Sequence, residues 1–286
     1  MCRNGGAELS PDGKVSRLNR TIAVSPRTVF EPHRQIGESC LTPDPFAHLP
    51  NLRGTLTPAD KSEVRVTTEV LAFFDERARQ LGRPENRRLS DHQREESRRA
   101  LLGDLTNTQD LWVYGYGSLM WDPGFHFAEV RLADIEGFQR RFTYKITIGR
   151  GTPEHPALMV ALEQRPGRCR GLAFRIAADM VDAESEILWR REMLRGGYNP
   201  AMLPVTTPQG AITALVFTSK HSHPDYVGER PLPESAALIV RACGPLGSNR
   251  DYLEQLADHL TILEIEDEYI EQLLKQVKAA SAVQFG

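Results

Sequence analysis

Val113-Tyr114-Gly115-Tyr116-Gly117-Ser118-Leu119-Met120-Trp121 is the stretch on which the reading of this 286-residue chain turns. The apolar and aromatic run Leu111–Tyr116 is bounded by glycine and reads as a strand. Two glycines then flank a tyrosine. Glycine permits tight turns and close backbone approach, so the amides of 117–120 are expected to converge on an anion, a carboxylate as readily as a phosphate. A dinucleotide loop would need glycine at position 120, where Met120 stands. A nucleophile elbow would need glycines two places to either side of Ser118, but they stand three before it and one before it. What remains is a strand feeding an anion-binding turn, beside the plain alternative of a glycine-rich turn without a ligand.

Outward from that turn, Phe142–Ile148 alternates Phe142, Tyr144, Ile146 and Ile148, the period of a half-buried strand. Ala157–Leu162, Gly171–Ile176 and Ala211–Phe217 are further predicted strands. A helical period runs over Met180–Leu194 through Ile187, Leu188 and Trp189, closed by Gly196-Gly197. Pro233–Ala242, Asn249–Leu263 and Asp267–Ala279 read as three more helices, and Leu253, Leu256, Leu260 and Leu263 give the middle one a core-facing stripe. Short strands come first, one helix sits among them, and helices dominate the end. That order predicts an α+β domain with a curved or closed mixed sheet rather than a doubly wound parallel one.

Upstream, the composition changes. Residues 1 to about 55 are rich in Pro, Gly, Ser and Arg, with no sustained apolar period, and are expected to form a largely disordered extension. Residues 56–109 carry two helix-start signals, Thr57-Pro58-Ala59-Asp60 and Ser90-Asp91-His92-Gln93. They predict short charged helices packed on the domain at 110–280. A formal charge of −3 argues against a general polyanion binder, so no nucleic-acid partner is expected. No run approaches 18 apolar residues, and the first fifteen lack the apolar core of a secretory signal. Four scattered cysteines do not make a disulfide scaffold. A cytoplasmic protein with no membrane partner is the expectation.

The second informative stretch is Trp189-Arg190-Arg191-Glu192-Met193-Leu194-Arg195-Gly196-Gly197-Tyr198. Glu192 falls near the C-terminal end of its predicted helix, where the helix dipole disfavours a carboxylate. Apolar neighbours Trp189 and Met193 would raise its pKa, towards a value suited to proton transfer, and the adjacent arginines would lower it. The sequence leaves that balance open, and a surface glutamate in an ion-paired helix is the plain alternative. His221 and His223 form an H-x-H pair without a third ligand at a recognisable spacing, so a polar loop is expected there instead of a metal site.

Four blocks, in order, resemble the ChaC family of glutathione-specific γ-glutamylcyclotransferases. They are residues 113–121, Arg150-Gly151-Thr152-Pro153, residues 189–198, and Gly244-Pro245-Leu246-Gly247-Ser248-Asn249-Arg250-Asp251-Tyr252-Leu253. His223-Pro224-Asp225-Tyr226 also fits. The resemblance implies a γ-glutamylcyclotransferase-like fold, a mixed β-barrel with surrounding helices. It implies that Gly115, Tyr116, Gly117, Ser118, Leu119 and Met120 hold the γ-glutamyl group through backbone donors. It further implies that Glu192 is the catalytic acid/base and that Tyr226 lines the pocket. The implied partner is the small molecule glutathione, cyclised to 5-oxoproline with release of cysteinylglycine, with no metal and no cofactor. Other γ-glutamyl peptides or amines as substrates, or a non-catalytic regulatory role linked to cation transport, remain the alternatives.

Overall fold

The computed structural model describes residues 44–80, 82, 88–103 and 108–285. Most of the expected N-terminal extension therefore lies outside the described residues. Residues 44–55, assigned to it from composition, are instead folded: turns and a short 3-10 helix, Pro50–Leu52, bury Leu52 completely. The Val130 amide donates to the Pro45 carbonyl, so this segment is tied to the barrel. Few apolar residues suffice here because an existing core receives them.

Five strands close into a barrel in the order β1-β3-β2-β4-β5: β1 Leu111–Gly115, β2 Glu129–Ile146, β3 Ala157–Ile176, β4 Tyr198–Thr207 and β5 Gly210–Ser219. Neighbours are antiparallel except where β5 returns beside β1 in parallel, with Trp112 opposite Ala214. The expected mixed, closed sheet is thus present, built from as many strands as expected but with longer ones among them. Ala157–Leu162 and Gly171–Ile176 are two ends of one strand. The Pro166-Gly167 break between them is absorbed by a bulge, where the register shifts between Glu136 and Phe138 of β2. The segment 198–207 was not expected to be a strand, because Pro200 and Pro204 interrupt it. Its β2-facing side pairs only at Asp134–Thr206, so those prolines cost no ladder bonds on that side.

Among the described residues six α-helices accompany the barrel: α1 Thr68–Gln80, α2 Asp91–Leu102, α3 Val181–Glu192, α4 Leu232–Arg241, α5 Asn249–Ile262 and α6 Glu268–Phe285. The four helices expected after residue 180 appear with ends moved by a few residues. The Thr57–Asp60 signal yields only a 3-10 turn at Ala59–Lys61, and α1 starts later, at Thr68. The second signal holds, with Ser90 and Gln93 forming a reciprocal capping box. On α2, Arg98 reaches Ser185 Oγ and Asp182 Oδ1 of α3, both at 2.9 Å. Glu184 of α3 binds the Arg65 guanidinium through both oxygens, at 2.7 and 3.0 Å. These contacts fix α3 against the barrel and so place its last residue, Glu192.

Candidate active site

β1 delivers the chain to the glycine turn, which continues as a 3-10 helix at Ser118–Met120. Close packing dictates both glycines. A Cβ on Gly117 would sit 2.7 Å from Val160 Cγ1, and one on Gly115 would sit 3.0 Å from Leu119 Cβ. Leu119 and Met120 are buried beneath the turn. The expectation that all the amides of 117–120 face one anion is corrected by the turn's own bonding. Met120 N–H donates to the Gly117 carbonyl at 2.9 Å, and the Ser118 amide faces the Tyr252 hydroxyl. Gly117 and Leu119 N–H have no protein acceptor among the described residues. Two backbone donors, not four, are therefore left without a partner in the fold.

Two arginines hold the turn, one from β2 and one from α3. Arg140 of β2, only 2 % exposed, donates from Nε to the Tyr116 carbonyl at 2.7 Å. Its Nη1 pairs with Asp267 at 2.7 Å, and its Nη2 reaches the Arg170 carbonyl. Arg191 of α3 donates to Ser118 Oγ at 2.9 Å and to the Asp122 and Pro123 carbonyls at 2.6 and 3.1 Å. Its Nε also lies 3.1 Å from Glu192 Oε1.

Glu192 ends α3 with 15 % of its side chain exposed, which keeps it reachable from outside. Burial pushes its carboxyl above the ordinary glutamate range, and Arg191 opposes this without overcoming it. The question left open by sequence is decided in favour of desolvation. Three tyrosines lie within electrostatic reach of this carboxylate: Tyr116 from the turn, Tyr198 from β4 and Tyr252 from α5. Burial, with the carboxylate among the further causes, raises all three phenols, so they stay neutral. The Tyr116 hydroxyl donates to the Phe217 carbonyl at 2.9 Å, which ties the turn to β5. Tyr198 and Tyr252 went unassigned from sequence, although each lies in one of the four blocks. Their contribution depends on β4 and α5 meeting the turn in space.

Tyr226 occupies a different place. Its hydroxyl lies 3.3 Å from Glu163 Oε2 on β3, and its ring stacks on His221 with centroids 4.4 Å apart. Glu163 also accepts from Thr143 Oγ1 and Ser219 Oγ at 2.6 Å each, and its Oε2 lies 2.8 Å from His221 Nε2. His223 instead meets the Arg195 carbonyl at 3.0 Å, so the H-x-H pair is split between two partners. Tyr144 links the clusters: its ring lies 5.7 Å from that of Tyr226 and 5.4 Å from that of Tyr198. Tyr226 thus stands one aromatic layer away from the Glu192 site.

A closed five-stranded barrel with a glycine turn beside one buried, accessible glutamate is the γ-glutamylcyclotransferase-like fold. A solved yeast structure described as a γ-glutamyl cyclotransferase specific to glutathione superposes with a TM-score of 0.57 at 24% identity, covering 62% of this chain and 99% of that one. The ChaC-like protein family matches residues 111–280, and the chain belongs to that family. The glutathione-specific gamma-glutamylcyclotransferase of Escherichia coli (strain K12) is 36% identical over 197 residues, covering 68% of this chain and 85% of that protein. The mouse glutathione-specific gamma-glutamylcyclotransferase 1 is 33% identical over 59% of this chain and 78% of its own length. Gamma-glutamylcyclotransferase 2-1 of Arabidopsis thaliana is 39% identical over 59% of this chain and 82% of its own. Among the described residues no helix is long and apolar enough to cross a membrane.

Proposed function

We propose that this protein is a glutathione-specific γ-glutamylcyclotransferase acting in the cytoplasm, with Glu192 as its acid/base. The observation that carries the reading is a glutamate, buried but reachable, beside a turn with two open backbone donors. The Gly117 and Leu119 amides suit the α-carboxylate of a γ-glutamyl group. The α-amine can then approach its own γ-carbonyl. Holding reacting groups in this way is worth several kcal/mol, and about 7–11 in the best intramolecular cases. Glu192, as carboxylate, removes a proton from the α-ammonium. The freed amine forms a new C–N bond at the γ-carbon, and the bond from that carbon to the cysteinyl nitrogen breaks. Glu192 returns the proton to the leaving nitrogen, and the second proton shed by the attacking nitrogen passes to the released amine, giving 5-oxoproline with one ring N–H and cysteinylglycine as its ammonium. The nucleophile belongs to the substrate, so neither Ser118 nor a thiol is asked to attack. A raised carboxyl pKa narrows the gap to the ammonium it must deprotonate. Tyr226 would act as an outlying wall of the pocket.

The test is direct: purified protein is incubated with glutathione, and both products are assayed. Their absence with wild type overturns the reading. A second reading is ring closure on other γ-glutamyl peptides or amines, favoured by the Arabidopsis relative, whose name specifies no glutathione. Side-by-side rates on glutathione and γ-glutamyl-alanine separate the two. Binding of glutathione without turnover would instead support the non-catalytic, regulatory alternative.

A further inference from the structure

Arg191 touches both the substrate turn and the acid/base. One face of its guanidinium serves Ser118 Oγ and the Asp122 and Pro123 carbonyls, which close the turn. Its Nε faces Glu192 Oε1 at 3.1 Å. The guanidinium is planar with five donors in a fixed fork, so these contacts are geometrically linked: moving one displaces the others. The neighbouring Arg190 offers a contrast, since it pairs with Glu186 one helical turn back and makes no contact with the turn. Arg191 itself keeps little exposure, with 11 % of its side chain accessible.

We propose that Arg191 is a positioning residue for the reaction put forward above: it locks the γ-glutamyl-binding turn and Glu192 into one register and holds Glu192 as a carboxylate at the start of the cycle. This rests on the cyclotransferase reading. The groups facing Glu192 are Arg191 on its own helix, Tyr116 from the turn, Tyr198 from β4 and Tyr252 from α5. The tyrosines are neutral, so Arg191 is the only one of the four that carries a charge. Taking the guanidinium away leaves burial unopposed, and Glu192 then holds its proton to higher pH. A base must begin deprotonated, so the acid limb of kcat/KM must move up in pH.

The experiment measures pH profiles of kcat and KM with glutathione for wild type, Arg191→Met, Arg191→Lys and the control Arg190→Met. Arg191→Met is expected to move the acid limb to higher pH and to lower kcat by about a hundred-fold, the scale of an ångström-level misplacement. Arg191→Lys keeps the charge but loses the fork. Its acid limb should stay at the wild-type position while kcat/KM falls roughly tenfold, a smaller share of the same misplacement effect. Arg190→Met should leave the limb in place. A purely structural role for Arg191 would lower active protein without moving the limb. An unmoved limb in Arg191→Met overturns the proposal. If Arg191→Met does not fold, Arg191→Lys decides: wild-type kcat and KM in that variant also overturn it. Inactive wild type, by contrast, sinks the cyclotransferase reading itself, whereas active wild type with an inactive Glu192→Gln leaves that reading standing.

Discussion

Glu163 and Glu192 stand in different environments, which push their carboxyls in opposite directions. Glu163, with 8 % of its side chain exposed, is surrounded by donors from Thr143, Ser219, His221 and Tyr226. Burial alone would raise its pKa, but these hydrogen bonds together hold it below the ordinary range. Glu192 is faced by neutral phenols and a single arginine, and burial wins. Fixed donors satisfy the charge on Glu163 and leave it no reason to take a proton. Glu192 lacks them and can move one. Depth of burial therefore does not separate Glu163 from the proposed acid/base Glu192; the number of donors aimed at each does.

The largest test of this contrast is Glu192→Gln. It should lower kcat by about 10²–10⁴-fold, the usual weight of a general acid/base. The fold should be as stable as wild type or more so, because an under-solvated charge has gone. Full activity in this variant would end the assignment. Glu163→Gln should do the reverse, leaving the cyclisation rate within a few-fold of wild type. It should cost about 1–3 kcal/mol as buried donors lose a charged acceptor. In a domain of this size that is a fall in Tm of roughly 2–4 °C per kcal/mol, read by thermal melts. A hundred-fold loss of kcat with an unchanged Tm would invert the comparison.

Melting across pH sharpens the contrast further. Glu163 has a depressed folded pKa, so its contribution is present above the unfolded value of 4.5 and is lost as pH falls through the folded one. Glu192 has a raised folded pKa, so its charge penalises the fold at neutral pH. That penalty lifts as pH falls towards 4.5. The difference curve of wild type minus Glu163→Gln should therefore change mainly below pH 4.5, and that for Glu192→Gln above it. The smallest effect belongs to His221→Ala. Its ring is 60 % exposed, so the lost pairing with Glu163 should cost at most about 1 kcal/mol. A larger loss would mean that the His221–Tyr226 stack, rather than the hydroxyls of Thr143 and Ser219, holds Glu163 in place.

Much of the architecture is legible along the chain. The helices at 181–192, 232–241, 249–262 and 268–285 follow from apolar periodicity and glycine or proline punctuation, and the capping box at Ser90 reads directly. The strand at 198–207 is hidden because proline forbids only the bonds a strand needs, and sequence does not say that its β2-facing side is almost unpaired. The break at Pro166-Gly167 misleads similarly, since a bulge lets one strand run through it. Tyr226 sits on Glu163 rather than Glu192 because the chain on either side of it pairs with the bulged end of β2, where Thr143 and Lys145 meet Val227 and Asp225.

Sequence by itself determined the strand entering a glycine turn, a helix with Glu192 near its end and the α+β order around them. These follow from local forces: steric freedom at glycine, hydrophobic period and helix termini. Only the tertiary structure decided which way Glu192 titrates and how many turn amides remain open. It also decided that Arg140 and Arg191 both grip that turn. Each of those depends on groups distant in sequence brought within a few ångströms, where desolvation and Coulomb attraction compete, and that competition is settled by distance and burial rather than by residue identity.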